Sequence, residues 1–192
     1  MADFFDALTD KQIAFVEKQP MFFVATAAAD GRINLSPKGY DAFRVLGPNR
    51  VAYLDLGGSG NETHAHLTAD GRITIMFCAF EQPALIFRIY GHGTAVLPQD
   101  DGWDELAANF EILPGTRQIF DIAVDNVQES CGWGVPFMEH KQDRATLQKA
   151  HKQPSEDEWL AKVGGRTESI DGLPVRPTTR YFDEEIKVDG AG

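Results

Sequence analysis

Apolar runs of strand length recur along this chain, separated by turn residues and by short helical stretches. The pattern is clearest from Val51 to Phe80, VAYLDLGGSGNETHAHLTADGRITIMFCAF. It predicts a strand over 51–56, then a loop of Gly57, Gly58, Ser59 and Gly60. A helix opens at Asn61 and closes near Asp70 and Gly71, and a second strand covers 73–80. Upstream, residues 1–20 read as a helix around Leu8, Ile13, Ala14 and Val16, capped by Thr9 or Asp10 and stopped by Pro20. Residues 21–27 and 32–36 read as a hairpin turning at Asp30-Gly31. Ser36, Pro37, Lys38 and Gly39 follow at a strand edge or in a loop, and 43–46 is a short apolar piece.

Downstream, 81–83 is a turn and 84–97 a long strand. Gly91 and Gly93 inside that strand signal a bulge, a sharp bend or the close approach of a ligand. Residues 100–110 read as a helix capped by Asp100 or Asp101, and 119–127 as a strand. Residues 129–138 form a loop of glycines and aromatics. Polar helices follow over 139–152 and 154–163, then a loop-rich tail. The pentapeptide Ala-Asp-Gly-Arg-Ile occurs at 29–33 and again at 69–73, two uses of one turn chemistry. About six strands at hairpin-like spacing predict a mainly antiparallel β-barrel with inserted and C-terminal helices.

Composition narrows the function classes. The 192 residues suit one domain with extensions, and 43% hydrophobic content supports a packed core. A net charge of −11 argues against nucleic acid or an anionic membrane as the main partner, since both call for a basic surface. Cys78 and Cys131 make no disulfide framework, which suits a reducing cytoplasm. The N-terminal stretch carries no apolar signal core, and no apolar run approaches the roughly 20 residues of a membrane span.

The loop at 57–60 is the first candidate for chemistry. Three glycines and a serine ahead of a helix present backbone N–H groups and the positive end of the helix dipole, a setting for phosphate. A flexible turn is the alternative, because the loop is neither of the common nucleotide fingerprints. Asn61 suits an N-cap and could also reach a phosphate oxygen. His64 and His66 are two apart on a helix and so face different ways, and no metal site is expected. His92 lies between two glycines, as a structural histidine or one reaching a ligand.

Four pieces, FFVATAAADGRINLSPKG, VAYLDLGGSGNETHAHLTADGRITIMFCAF, IFRIYGHGTAV and ESCGWGVPFMEH, together resemble the pyridoxamine 5′-phosphate oxidase-related flavoproteins. They cover roughly residues 15–150. The resemblance implies a homodimer of six-stranded antiparallel split barrels, with FMN in a groove between subunits. It makes 1–150 the FMN-binding domain and 151–192 an extension.

Carried over residue by residue, the resemblance implies that Asn34, Leu35, Ser36, Pro37 and Lys38 lie along the flavin. Lys38 would stand near the pyrimidine edge of the ring or the ribityl phosphate, where positive charge favours the reduced flavin. A solvated surface lysine is the alternative. Tyr53, Leu54 and Asp55 would offer backbone contacts, and Ser59, Gly60, Asn61 and Thr63 would take the phosphate. Arg88 would contact the phosphate or the partner subunit, an outward-facing strand position being equally open. Cys131, Gly132 and Trp133 resemble a segment that approaches the flavin from the second subunit, with core packing as the alternative for Trp133.

Two departures from the family pattern matter. The oxidase carries a Ser-Arg-Lys type cluster at the helix start, where this chain has Asn61-Glu62-Thr63 and a longer glycine loop. The tail, with Arg166, Arg176 and Arg180, does not reproduce the arginine- and tryptophan-containing segment that closes over pyridoxal phosphate, which points away from vitamin B6 as substrate. The leading expectation is an FMN-dependent oxidoreductase of unknown small-molecule substrate. The alternatives are a flavin-binding module without turnover, or a split-barrel relative that binds haem or a deazaflavin. No catalytic acid–base pair is evident.

Overall fold

A computed structural model describes residues 2–187. The elements, in chain order, are β1 (Ala2–Phe5), α1 (Asp10–Val16), β2 (Phe22–Thr26), β3 (Asn34–Lys38), β4 (Phe43–Gly47), β5 (Arg50–Leu56), α2 (Glu62–Ala69), β6 (Arg72–Cys78) and β7 (Leu85–Val96). There follow α3 (Trp103–Ala107), β8 (Glu111–Ile112), β9 (Thr116–Cys131), α4 (Thr146–His151), α5 (Glu156–Trp159), a π-helical turn (Leu160–Gly164) and β10 (Ile186–Lys187).

Strands pair in the order β3-β2-β6-β7-β9-β5-β4, and β1 adds to β9. Every pairing is antiparallel. The expected mainly antiparallel β architecture therefore stands, with eight strands in the main sheet rather than about six. β8 and β10 make a separate two-stranded piece. Inward positions alternate along the strands: Phe22 and Val24 on β2, Ile73, Ile75 and Phe77 on β6, and Phe87 and Ile89 on β7 form the main core. On the opposite face of β5 and β9, Ala52, Leu54 and Ile119 pack with Trp103, Leu106, Phe110 and Phe182 in a second core.

Gly91 sits at the register shift between β7 and β9, and a Cβ there would overlap the carbonyl oxygen of Ala123. The expected bulge is present, and the close approach is that of a neighbouring strand. Gly31 and Gly71, the two glycines of the repeated pentapeptide, adopt φ of 88° and 87°. Both turns thus use the left-handed conformation that glycine takes at least cost.

Several expectations are corrected. Residues 1–20 are not one helix: Ala2–Phe5 pairs with Phe4 opposite Gln128, and the helix begins only after Thr9, which makes a capping box with Gln12. Tertiary pairing overrides helix propensity there. The α3 helix is capped by Gly102; Asp100 instead accepts from the Leu97 N–H. β9 runs for 16 residues, so Glu129, Ser130 and Cys131 belong to a strand rather than a loop. Of 139–152 only Thr146–His151 is helical, and 154–163 divides into α5 and the π-helical turn. Among the described residues no helix is long and apolar enough to cross a membrane.

Candidate functional site

The site grows from one buried carboxylate. Period-two alternation along β5 sends Leu54 into the second core and turns Asp55 to the opposite side. Asp55 is 2% exposed. Its Oδ1 accepts from Lys38 Nζ at 2.8 Å, and its Oδ2 accepts from Arg117 Nη2 at 2.8 Å and Gln118 Nε2 at 2.9 Å. Burial alone would raise the Asp55 pKa, but the Lys38 and Arg117 charges and hydrogen bonds hold it well below the usual carboxylate range. Its ionised form bridges two cations, the buried Arg117 and the partly exposed Lys38, and leaves the cluster with a net positive charge.

The network reaches the glycine loop and α2. Arg117 Nη1 donates to the Gly60 carbonyl at 2.9 Å. Gln118 Nε2 also donates to Asn61 Oδ1 at 2.8 Å, and its Oε1 meets His64 Nδ1 at 2.6 Å. A second arm lies alongside. Asn34 Nδ2 donates to Thr63 Oγ1 and Thr26 Oγ1, each at 3.1 Å, Ser36 donates to Asn34 Oδ1 at 2.7 Å, and Thr26 meets His66 Nδ1 at 3.0 Å. The Tyr53 hydroxyl and His66 Nε2 are buried without a partner among the described residues. Burial, followed by the Asp55 charge, raises the Tyr53 pKa well above its usual value, so the phenol stays protonated.

The C-terminal extension covers the outer side of this loop. His151 Nε2 meets the Gly57 carbonyl at 2.8 Å, and Arg166 Nη1 donates to the Ser59 carbonyl. Glu62 accepts from the Ile170 N–H at 2.8 Å, and His64 Nε2 accepts from the Arg176 N–H at 3.3 Å. Asp171 grips Arg32 at the β2–β3 turn. α2 is therefore enclosed between barrel and extension, which explains why His64 and His66 are both buried. A groove of about 950 Å³ opens beside Lys38, walled by Phe15, Tyr40, Phe80, Met138 and Arg144.

The structure brings Asn34, Ser36, Lys38, Tyr53, Asp55, Gly60, Asn61 and Thr63 into one network, with Ser59 on its rim. Some of their expected roles change. Asn61 makes no capping hydrogen bond, and its side chain turns inward to Gln118. The Thr63 hydroxyl likewise faces Asn34. The N–H of Leu54 already donates to Ala42, and its side chain lies in the second core. Leu35 is next to the site but 66% exposed. Glu62 accepts from the extension at Ile170 while its carboxylate stays beside Gly60 of the loop.

Arg88, Cys131, Gly132 and Trp133 stand apart. Arg88 faces outward and donates to Ser130 at 3.1 Å. Cys131 is thirteen residues beyond Gln118 on the same strand, on the order of 40 Å of backbone contour. Gly132 is buried against the Leu85 backbone. Trp133 is 86% exposed, so core packing does not account for it.

Arg117, Gln118 and His64 were not expected as site residues. The signal for the first two is legible in retrospect: Thr116-Arg117-Gln118 runs straight into the apolar strand Ile119–Val124, and a cation on a buried strand demands a partner. His92 pairs with exposed Asp125 at 2.9 Å.

A family model described as pyridoxamine 5′-phosphate oxidase matches residues 8–131. A curated relative, the pyridoxamine 5′-phosphate oxidase family protein ustO of Aspergillus flavus, is 38% identical over 151 residues. That alignment covers 76% of this chain and 61% of the relative, so the chain spans about three fifths of that protein. Among solved structures, a candidate pyridoxamine 5′-phosphate oxidase of Lactobacillus delbrueckii superposes with a TM-score of 0.52 and 19% identity, over 64% of this chain and 94% of that one. HupZ of Group A Streptococcus gives 0.50 and 20%, over 62% of this chain and 91% of its own. At these identities the structural likeness speaks to the fold alone.

Proposed function

This chain belongs to the pyridoxamine 5′-phosphate oxidase family, and on that premise we propose that it is an FMN-dependent oxidoreductase acting on a small molecule. The observation that carries the reading is the Lys38–Asp55–Arg117 bridge, which ties the end of β3 to the glycine loop beside an open groove.

The donor set suits a flavin mononucleotide. No backbone N–H of residues 58–63 donates to an acceptor among the described residues, so the loop and the start of α2 present free donors. An anion is a natural occupant there. Lys38, held in place by Asp55, offers fixed positive charge to the ring, and the groove's volume lies in the range of small-molecule sites. When bound, the flavin supplies hydride or single-electron transfer. The chain's residues bind and orient it: Asp55 fixes the Lys38 ammonium, Arg117 fixes the Gly60 carbonyl, and Phe15, Phe80 and Met138 give the groove an apolar wall.

The reading includes a homodimer. Trp133, Phe137 and Met138 are large, apolar and more than half exposed within six residues, and they follow the far end of β9. A second copy would bring such a segment, with Arg88, Cys131 and Gly132 near it, to the first copy's network. The substrate differs from vitamin B6 in this proposal, because the extension closes on the glycine loop through Arg166 and on α2 through Ile170 and Arg176.

The test is an absorption spectrum of the purified protein, then release and mass analysis of the chromophore. Flavin bands and released FMN are the expected result. A haem or deazaflavin spectrum, or a colourless protein that takes up no added FMN, overturns the reading. Bleaching of bound flavin by a substrate separates turnover from binding alone.

A further inference from the structure

We propose that Arg166, on the C-terminal extension, is the residue that grips the phosphate of the bound cofactor. The inference rests on the flavin reading and goes beyond it, because it moves the phosphate cation from the helix start to a part of the chain that follows the barrel.

The helix start cannot supply the charge. Residues 61–63 are Asn, Glu and Thr, and the Asn61 and Thr63 side chains are turned into the protein. Arg117 is the nearest buried cation, but each nitrogen of its guanidinium already faces a protein acceptor: Nε and Nη2 face Asp55, Nη1 faces the Gly60 carbonyl, and the side chain is 5% exposed. Lys38 is committed to Asp55.

Arg166 is placed differently. Its Nη1 donates to the Ser59 carbonyl and its Nε to the Lys162 carbonyl at 3.1 Å, which pins the guanidinium on the outer face of the glycine loop. Its Nη2 has no partner among the described residues. Gly58 and Ser59 beside it are exposed, and a Cβ at Gly58 would meet nothing within 4 Å, so the loop leaves room there. Glu62, the one carboxylate at the helix start, is pinned by the Ile170 N–H of the same extension beside Gly60, not beside the exposed Gly58. The extension thus brings a cation to the exposed Gly58–Ser59 part of the loop and ties the Glu62 carboxylate at Gly60 with a backbone N–H. An arginine fork held by two carbonyls keeps its remaining donors aimed, and phosphate is the anion that such a fork with free loop N–H groups fits.

The experiment compares binding of FMN with binding of riboflavin, which lacks the phosphate, by quenching of flavin fluorescence in the full chain. Wild type is expected to prefer FMN. Arg166→Gln is expected to weaken FMN roughly ten- to hundredfold and to leave riboflavin unchanged, as befits loss of one charged hydrogen-bonding partner. Arg166→Lys is expected to recover part of the loss. Lys162→Ala, which removes a nearby exposed cation, should leave both affinities alone. An equal fall for both ligands in Arg166→Gln makes the residue a brace for the loop and overturns the inference. No change for either ligand overturns it too. A wild type that binds FMN and riboflavin equally overturns the phosphate placement, whereas a wild type that binds neither overturns the flavin reading beneath it. Circular dichroism of each variant guards against loss of fold, with Arg166→Lys as the milder substitution.

Discussion

Lys38 and Asp55 meet at 2.8 Å although they lie on β3 and β5, strands that are not neighbours in the sheet. The contact joins the open end of the sheet to the glycine loop through Arg117. It also leaves the carboxylate ionised and buried at neutral pH, so both cations depend on it.

Asp55→Asn should therefore be costly. Removing one partner of a buried ion pair costs about 3–5 kcal/mol, because the remaining charges lose their compensation. Equilibrium urea unfolding at neutral pH measures it. A loss below about 1 kcal/mol would mean that Lys38 and Arg117 re-solvate freely.

The same carboxylate sets an acid limit. Its folded pKa lies below the unfolded value of about 3.9, so folding favours the ionised form. Its contribution is complete above about pH 4 and is lost as pH falls through the folded value. The stability gap between wild type and Asp55→Asn should thus narrow below about pH 4. A gap that stays constant down to pH 2 would contradict this.

Two histidines couple the extension to pH. Burial, with Arg117 and Arg176 nearby, pushes the His64 pKa down, and burial likewise lowers His151. His64 Nε2 must be unprotonated to accept from Arg176, and His151 Nδ1 must be unprotonated to accept from Trp159 Nε1 at 2.9 Å. The unfolded chain takes up these protons near pH 6.5, before the folded chain does. This stabilisation is therefore present above about pH 6.5 and declines as pH falls through the lowered folded values. Amide hydrogen exchange in residues 151–182, corrected for intrinsic rates, should be faster at pH 5 than at pH 7.5. Equal protection at both would refute the coupling.

Gly115 is a second lever on the extension. It adopts φ of 80°, and a Cβ there would overlap the His151 ring. Gly115→Ala should cost about 1–2 kcal/mol for the backbone conformation and about 1–3 kcal/mol for the overlap. Limited proteolysis should cut the extension before the barrel. Wild-type resistance in the variant would show that His151 moves aside without penalty.

Trp133 offers a test of the homodimer. Its exposure predicts that Trp133→Ala changes the stability of a dilute protomer by no more than about 0.5 kcal/mol. Sedimentation and flavin titration should nonetheless show weaker association and weaker FMN binding. Wild-type behaviour in both would remove Trp133 from the site.

Much of the fold was legible because it rests on local rules. Apolar runs marked β2, β6 and β7 as strands, and the repeated Asp-Gly marked both of the turns at which glycine is left-handed. The glycine loop and α2 were legible from a strand ending, three glycines and a capping-type residue. The N-terminal strand and the true length of β9 were not, because Ala2–Phe5 adopts strand form by pairing with β9 more than a hundred residues away, and Glu129–Cys131 by pairing with Leu85–Phe87 on β7.

Residue types and their order, then, determined the mainly antiparallel architecture and the loop ahead of α2, and the family resemblance supplied Lys38 and Asp55 as candidates. Only the tertiary structure decided that they touch, that Arg117 and Gln118 complete their network, and that Arg166 and Arg176 arrive from the extension over the loop. The reason is physical. Backbone periodicity is a property of neighbours in sequence, whereas a buried charge is stable only where partners converge, and here Gln118 lies 63 residues from Asp55 and Arg176 lies 112 from His64.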